Sequence, residues 1–170
     1  DDGWAAYERG DYATAFREFR LLAEQGYTGA QYNLGLMYRN GEGVPENDAI
    51  AVKWFRKAAE QGHAEAQSNL GVMYDNGEGV PENNAEAVKW FRKAAEQGLA
   101  RAQFNLGLKY GKGEGVPENN IKAYMWWSLA KAQGYEKAAE NLDIVKKLMT
   151  PADISKAQAL ATEMWEKLNN

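Results

Sequence analysis

Residues 30–62 read AQYNLGLMYRNGEGVPENDAIAVKWFRKAAEQG, and residues 66–98 repeat them with five changes in thirty-three positions. A looser third copy opens at Ala102, again 36 residues further on. A fixed period of this size marks one supersecondary unit stacked on its own copies, with its core buried between neighbours instead of around one centre. Within the unit, Ala30, Leu34 and Tyr38 lie four residues apart, which predicts a first helix over about 30–38 with these residues on one core-facing side. Asn40-Gly41-Glu42-Gly43-Val44-Pro45 then ends the helix and lets the chain reverse, because glycine accepts a left-handed backbone and proline lacks a donor. Asn47 is the expected N-cap of a second helix, repeated as Asn83 and Asn119 and replaced by Asp11 in the first unit. Asn83 with Glu86 also has capping-box spacing.

The second helix carries Ala51, Trp54 and Ala58, which recur as Ala87, Trp90, Ala94 and as Ala123, Trp126, Ala130. The tryptophans are expected to supply most of the buried area, and the alanines to let a facing helix approach closely. Gln61-Gly62, Gln97-Gly98 and Gln133-Gly134 close this helix with a glycine just past its end. Gly35, Gly71 and Gly107 sit inside the first helix at a cost of about 1 kcal/mol relative to alanine, for which close backbone packing is the expected compensation. At the start, Tyr7-Glu8-Arg9-Gly10-Asp11-Tyr12 joins two helices by a short turn. At the other end, Ala138 to Leu148 continues the first-helix phase and Thr150-Pro151 opens a capping helix over 152–168, with Leu160, Met164 and Trp165 expected to turn inward. The chain reads as one all-α domain over 1–170, with units at about 3–26, 28–62, 64–98, 100–134 and 136–170.

Twenty Lys and Arg stand against twenty-four Asp and Glu, a net charge of −4 with the signs interleaved. This pattern gives no nucleic-acid footprint and no polybasic membrane anchor. The longest apolar runs fall far short of the roughly 20 residues of a membrane helix, so no membrane insertion and a soluble monomer are expected. There is no cysteine, hence no disulfide staple and no thiolate metal site. The chain begins Asp1-Asp2-Gly3 without Met, as removal of a signal peptide would leave it. That predicts a periplasmic or secreted location, with a trimmed cytoplasmic protein as the alternative.

The run Ala-Gln-x-Asn-Leu-Gly-x-x-Tyr, then Asn-Gly-Glu-Gly-Val-Pro, then Ala-Val-Lys-Trp-Phe-Arg-Lys-Ala-Ala-Glu-Gln-Gly closely resembles the Sel-one-like repeat, a branch of the tetratricopeptide superfamily. The resemblance covers roughly Gly3 to Leu148. It implies a right-handed α-solenoid of antiparallel helix pairs whose first helices line a concave surface that holds a peptide or another protein. Family members act as adaptors and scaffolds in bacterial envelope, signalling and secretion systems and in eukaryotic protein quality control. The lack of cysteine sets the chain apart from the cysteine-rich secreted subgroup, some of whose members are linked to β-lactam binding. The first unit, at about 3–26, reads more like an ordinary tetratricopeptide, so the family's surface positions are not carried onto residues before Asp11.

The five differences between the two best copies are Tyr32/Ser68, Leu36/Val72, Arg39/Asp75, Asp48/Asn84 and Ile50/Glu86. The first three pairs share one stripe of the first helix, which the resemblance places on the concave wall. The third copy has Phe104, Leu108 and Gly111 there, with Lys112 beside them, while Leu34, Gly35, Tyr38, Trp54 and Ala58 have identical counterparts in the second copy. A groove is therefore expected in which Tyr32, Leu36, Val72, Phe104 and Leu108 make apolar contact and Arg39, Asp75, Arg101 and Lys112 select charge, with Ser68 on the same stripe. The alternative is that these positions only face solvent or pack locally between units.

Catalytic and metal-binding readings find little support. His63 is the single histidine and is expected to be a solvent-facing turn residue, out of reach of any triad or histidine-rich metal site. Gly41-Glu42-Gly43 lacks the strand and the Lys-Ser/Thr ending of a phosphate loop. Asp75-Asn76-Gly77-Glu78-Gly79 clusters oxygens without a full calcium loop. Glu42 and Glu46 are expected to be solvated on a connector, with nothing to hold them. Trp126-Trp127 occupies the Trp-Phe register of earlier copies and reads as core. The expectation is a non-enzymatic adaptor with no cofactor and no metal, binding a protein or peptide. The alternatives are an assembly component docking by its ends or convex face, and a binder or slow hydrolase of a small envelope metabolite.

Overall fold

The connectors decide how one helix pair meets the next. The computed structural model describes residues 2–170, which form ten α-helices and no strand: α1 Asp2–Glu8, α2 Tyr12–Glu24, α3 Thr28–Asn40, α4 Asp48–Glu60, α5 Ala64–Asn76, α6 Asn84–Ala95, α7 Ala100–Lys112, α8 Asn120–Ala132, α9 Lys137–Lys146 and α10 Pro151–Asn169. The first helix of the repeat is thus longer at both ends than the apolar spacing predicts. The two extra C-terminal residues run up to a glycine with φ near +69° in each connector, Gly41, Gly77 and Gly113, a backbone that closes a helix without a steric penalty only in glycine.

The second glycine of each connector is a docking point. A Cβ on Gly43 would sit 2.3 Å from the Tyr12 carbonyl oxygen, on Gly79 2.3 Å from the Asp48 carbonyl carbon, and on Gly115 2.4 Å from the Asn84 carbonyl oxygen. Each of these partners begins the second helix of the preceding pair. The connector backbone therefore lies directly on a helix start, and only glycine leaves room. Asn47, Asn83 and Asn119 then cap α4, α6 and α8 as expected, accepting from the Ile50, Glu86 and Lys122 amides at 3.0 Å. Asp11 does the same for Thr14 at 3.2 Å. Only half of the capping box at Asn83 forms, because Glu86 turns to Lys89 at 3.6 Å. The full box appears at Thr150 and Asp153.

Contacts divide the chain into two compact units, one running to Glu82 and the other Asn83–Asn170. In the first, α1 packs on α2, α2 on α3, α3 on α4 and α4 on α5. In the second, α6 packs on α7, and α8 receives α7, α9 and α10. Buried glutamines stitch successive pairs. Gln31, Gln67 and Gln103 donate from Nε2 to the carbonyls of Ala23, Ala59 and Ala95 at 3.3, 3.0 and 3.2 Å, a second bond on acceptors that already take the amides of Gly26, Gly62 and Gly98.

The large ring of the core is not the one expected in the first full copy. Phe55 is fully buried, Phe91 nearly so, and Trp54 only half-buried with the Lys57 ammonium 4.7 Å from its ring centre. Trp90 and Trp126 are buried, and Trp127 takes the Phe55 register. Burying each such phenylalanine contributes about 1.5–3 kcal/mol. The helical glycines also serve a different partner. At Gly35 a Cβ would meet Phe55 Cδ1 at 2.7 Å, and at Gly107 it would meet Trp127 Nε1 at 2.5 Å, so rings, not backbone, occupy the space. In α10, Ala157 is the buried residue. Leu160 and Met164 are half-buried, and Trp165, expected inside, is 39% exposed, lining a shallow hollow with Ser128, Leu129 and Ala132 of α8.

Candidate interaction surface

In the first unit the stripe is built on α3 and α5. Tyr32 is half-buried, its ring 4.5 Å from His63 in a stacked arrangement and 5.9 Å from Phe55. His63 is thus not a free turn residue. Its Nδ1 accepts from the Ala66 amide at 3.3 Å as the N-cap of α5, and its ring supports Tyr32 from below. Leu36 and Val72 are half-buried, with part of each side chain at the surface. Arg39 reaches the next connector, where its guanidinium meets Glu78 Oε2 at 3.2 Å. Asp75 is half-buried, and Ser68 is fully buried, since its short side chain cannot rise from a position where Tyr32 and Phe104 protrude.

One further expectation about this unit changes. Glu42 is not merely solvated: Tyr7 Oη donates to its Oε2 at 2.9 Å, and burial together with this carboxylate pushes the Tyr7 hydroxyl up to about 12. Glu46 is exposed. The oxygens of Glu78 are engaged by Arg39 and by Asn76 Nδ2 at 2.8 Å, which leaves that cluster organised around cationic and amide donors.

In the second unit the stripe runs along α7. Arg101 and Lys112 are exposed, while Phe104 and Leu108 are half-buried. Phe104 lies 5.0 Å from the Tyr135 ring, the same spacing in sequence that joins Tyr32 to His63. Leu108 opens into a cleft of about 190 Å³ shared with Gly111, Lys112, Asn120 and Trp127, and closed by Val145, Ile144 and Leu148 of the α9 end. Its floor is fixed, because Trp127 Nε1 donates to the Phe104 carbonyl at 3.1 Å. Gly111 stands where the earlier copies have Arg39 and Asp75, and a Cβ there would lie 3.1 Å from Trp127 Cη2. The larger ring and the missing side chain go together.

The exposed wall of this cleft lies one period beyond the stripe. The 36-residue period carries Leu108 to Ile144 and Lys112 to Leu148, and these two are 60% and 69% exposed. Following the period past the glycine-rich connectors would have found them. Trp127 is core, as its register predicts, yet it also lines the cleft.

Three matches to the Sel1 repeat model cover residues 28–63, 64–99 and 100–135. The chain belongs to the Sel1 repeat family. A crystal structure of a Sel1 repeat protein from Oxalobacter formigenes superimposes with a TM-score of 0.82 at 34% identity, covering 97% of this chain and 69% of that one. A protective antigen of uropathogenic Escherichia coli with an SLR fold gives 0.69 at 32% identity, over 91% of this chain and 41% of that one. The fold class is therefore the all-α solenoid of Sel1 repeat proteins, which are generally protein-interaction scaffolds and typically non-catalytic.

Local similarity extends to an exopolysaccharide production negative regulator of Rhizobium meliloti (strain 1021), 43% identical over 51 residues, 30% of this chain and 19% of that protein. A DAP3-binding cell death enhancer of Rattus norvegicus is 46% identical over 43 residues, 25% of this chain and 8% of that protein. The chain thus spans less than a fifth of the length of these two relatives. No helix among the described residues is long and apolar enough to cross a membrane.

Proposed function

We propose that this Sel1 repeat chain is a non-enzymatic adaptor that holds a peptide or protein segment against the stripe of its first helices. The observation that supports this is a division of labour between positions. Leu34 and Leu70 are buried alike and Phe55 is matched by Phe91, whereas of the six residues at the three stripe positions that differ between the two best copies, Tyr32, Leu36, Arg39, Val72 and Asp75 lie at least partly at the surface and Ser68 alone is buried. A packing requirement keeps residues the same, and a recognition surface gains from making them different. The apolar members supply contact area, and Arg39, Asp75, Arg101 and Lys112 set which charges are accepted.

The test is capture of a partner on the intact chain, followed by the double variant Phe104→Ser/Leu108→Ser with its helical content checked by circular dichroism. A loss of affinity of about tenfold or more is expected, in line with removal of two anchors. Unchanged affinity in a folded double variant sinks the stripe as the binding surface.

A further inference from the structure

We infer that the cleft of the second unit takes one bulky apolar side chain of a partner peptide that carries a carboxylate beside it, with Lys112 receiving the carboxylate. This rests on the adaptor reading and adds the chemistry of the ligand.

Size comes first. At about 190 Å³ the cleft is smaller than the roughly 300–1,000 Å³ of sites that enclose a small molecule, and it suits one leucine- or phenylalanine-sized anchor. Its lining explains why that anchor is apolar. Leu108, Val145 and the Trp127 edge form the bottom, and Ile144 and Leu148 stand over it at 60% and 69% exposure. These two side chains gain most from being covered, since neither is shielded by another part of its own unit.

Charge complementarity selects the neighbour of the anchor. Among the described residues that line the cleft, Lys112 is the one with a charge, and it is exposed. Lys147 lies three residues after Ile144, at the C-cap of α9, and is exposed as well. Lys109, by contrast, is turned inward and committed to Asn84 and Glu114. The cations at the ends of α7 and α9 thus face outward; Lys112 also acts on the Glu114 carboxylate and Asp143 precedes Ile144, but neither acid lines the cleft, so a carboxylate held beside the anchor meets Lys112 as the charged group of the lining. The two amides, Asn120 and Asn141, both donate and accept, as a peptide backbone requires.

Gly111 is what makes the space. The register that carries Arg39 and Asp75 in the earlier copies has no side chain here, and the cleft opens at that point.

Three fluorescently labelled synthetic peptide pools test the inference by anisotropy on the full chain. One has Phe or Leu next to Asp or Glu, a second has the same apolar residue next to Lys or Arg, and a third keeps the acids but replaces the apolar residue with Ser. The first pool should bind about tenfold more tightly than the other two, and added salt should weaken it. Lys112→Glu and Ile144→Ser, both at exposed positions and so expected to melt like the wild type, should each cost about tenfold. Equal binding of the pools, or an unaffected Lys112→Glu protein, overturns the inference. Self-association that Ile144→Ser abolishes would assign the cleft to a second copy and overturn it too. If no pool binds while a captured partner remains sensitive to Phe104 and Leu108, this occupant falls and the adaptor reading stands.

Discussion

The Lys109 ammonium lies 2.9 Å from Glu114 Oε2 and also donates to Asn84 Oδ1 at 2.9 Å, with only 5% of its side chain exposed. Its register holds Met37 and Met73 in the earlier copies, so a charge has been placed where the repeat otherwise keeps a thioether. The connector glutamate has a different partner each time: Tyr7 for Glu42, Arg39 for Glu78 and Lys109 for Glu114. The array keeps the acid and changes what holds it.

An asymmetry in stability follows. Glu114→Ala strips the carboxylate from a buried ammonium and should cost about 1–2 kcal/mol, whereas Lys109→Met restores the residue of the other copies and should stay within about 1 kcal/mol of wild type. Urea unfolding of the two variants checks this. Equal losses would mean that the pair itself, not the buried charge, matters.

Acid should act on the same contact. The hydrogen bond from Lys109 holds the Glu114 carboxyl below the usual carboxylate range, so its contribution is present above that range and fades as pH falls through the lowered value. The carboxylate is partly exposed, so solvent keeps the effect small. Thermal melts across the acid limb should show a shallower loss in Lys109→Met than in wild type.

Tyr7 gives the alkaline counterpart. Its hydroxyl is raised to about 12 by burial and by Glu42, so the stabilisation is intact below about pH 10 and is lost as pH climbs toward 12. Tyrosinate absorbance should include a late-titrating phenol, and Glu42→Gln should bring it forward.

The connector glycines predict a steep contrast. Gly79→Ala would place a methyl 2.3 Å from the Asp48 carbonyl carbon at φ +67°, while Gly62, at φ +92°, has open space where its Cβ would go. Gly62→Ala should cost about 1–2 kcal/mol from backbone strain alone, and Gly79→Ala distinctly more, because helix α4 must also move. Melting temperatures of the two variants rank them.

Trp127 and Gly111 should couple. Trp127→Phe removes the hydrogen bond to the Phe104 carbonyl and leaves a gap beside Gly111, at about 1–3 kcal/mol. Adding Gly111→Ala should recover part of that loss, which a double-mutant cycle measures directly. Strict additivity would show that the ring and the glycine are not matched.

What could be read from the sequence was what depends on neighbours along the chain. Asn47, Asn83, Asn119 and Thr150 cap helices because each acts on an amide three residues away. Trp54 and Phe55 show the limit: both are aromatic, they point about 100° apart on a helix, and apolarity alone does not say which meets the core. His63 and Glu42 depart from expectation for a related reason, since Tyr32 and Tyr7 lie more than thirty residues away and reach them only after the helices have stacked. The stripe on α7 was visible as variation between copies, but the cleft was not, because it needed Ile144 and Leu148 from a degenerate fourth copy and an empty position at Gly111.

Gly43, Gly79 and Gly115 each rest on the helix start of the pair before them, so a module as the chain builds it is not the module as the text is written. Every repeat supplies a foot for its predecessor and a seat for its successor. Lengthening or shortening the gene by a whole period, cut at any phase, preserves every foot and seat. An insertion of a few codons between a seat and its foot displaces that foot and breaks the junction there, which is a physical reason for such arrays to change length in complete steps.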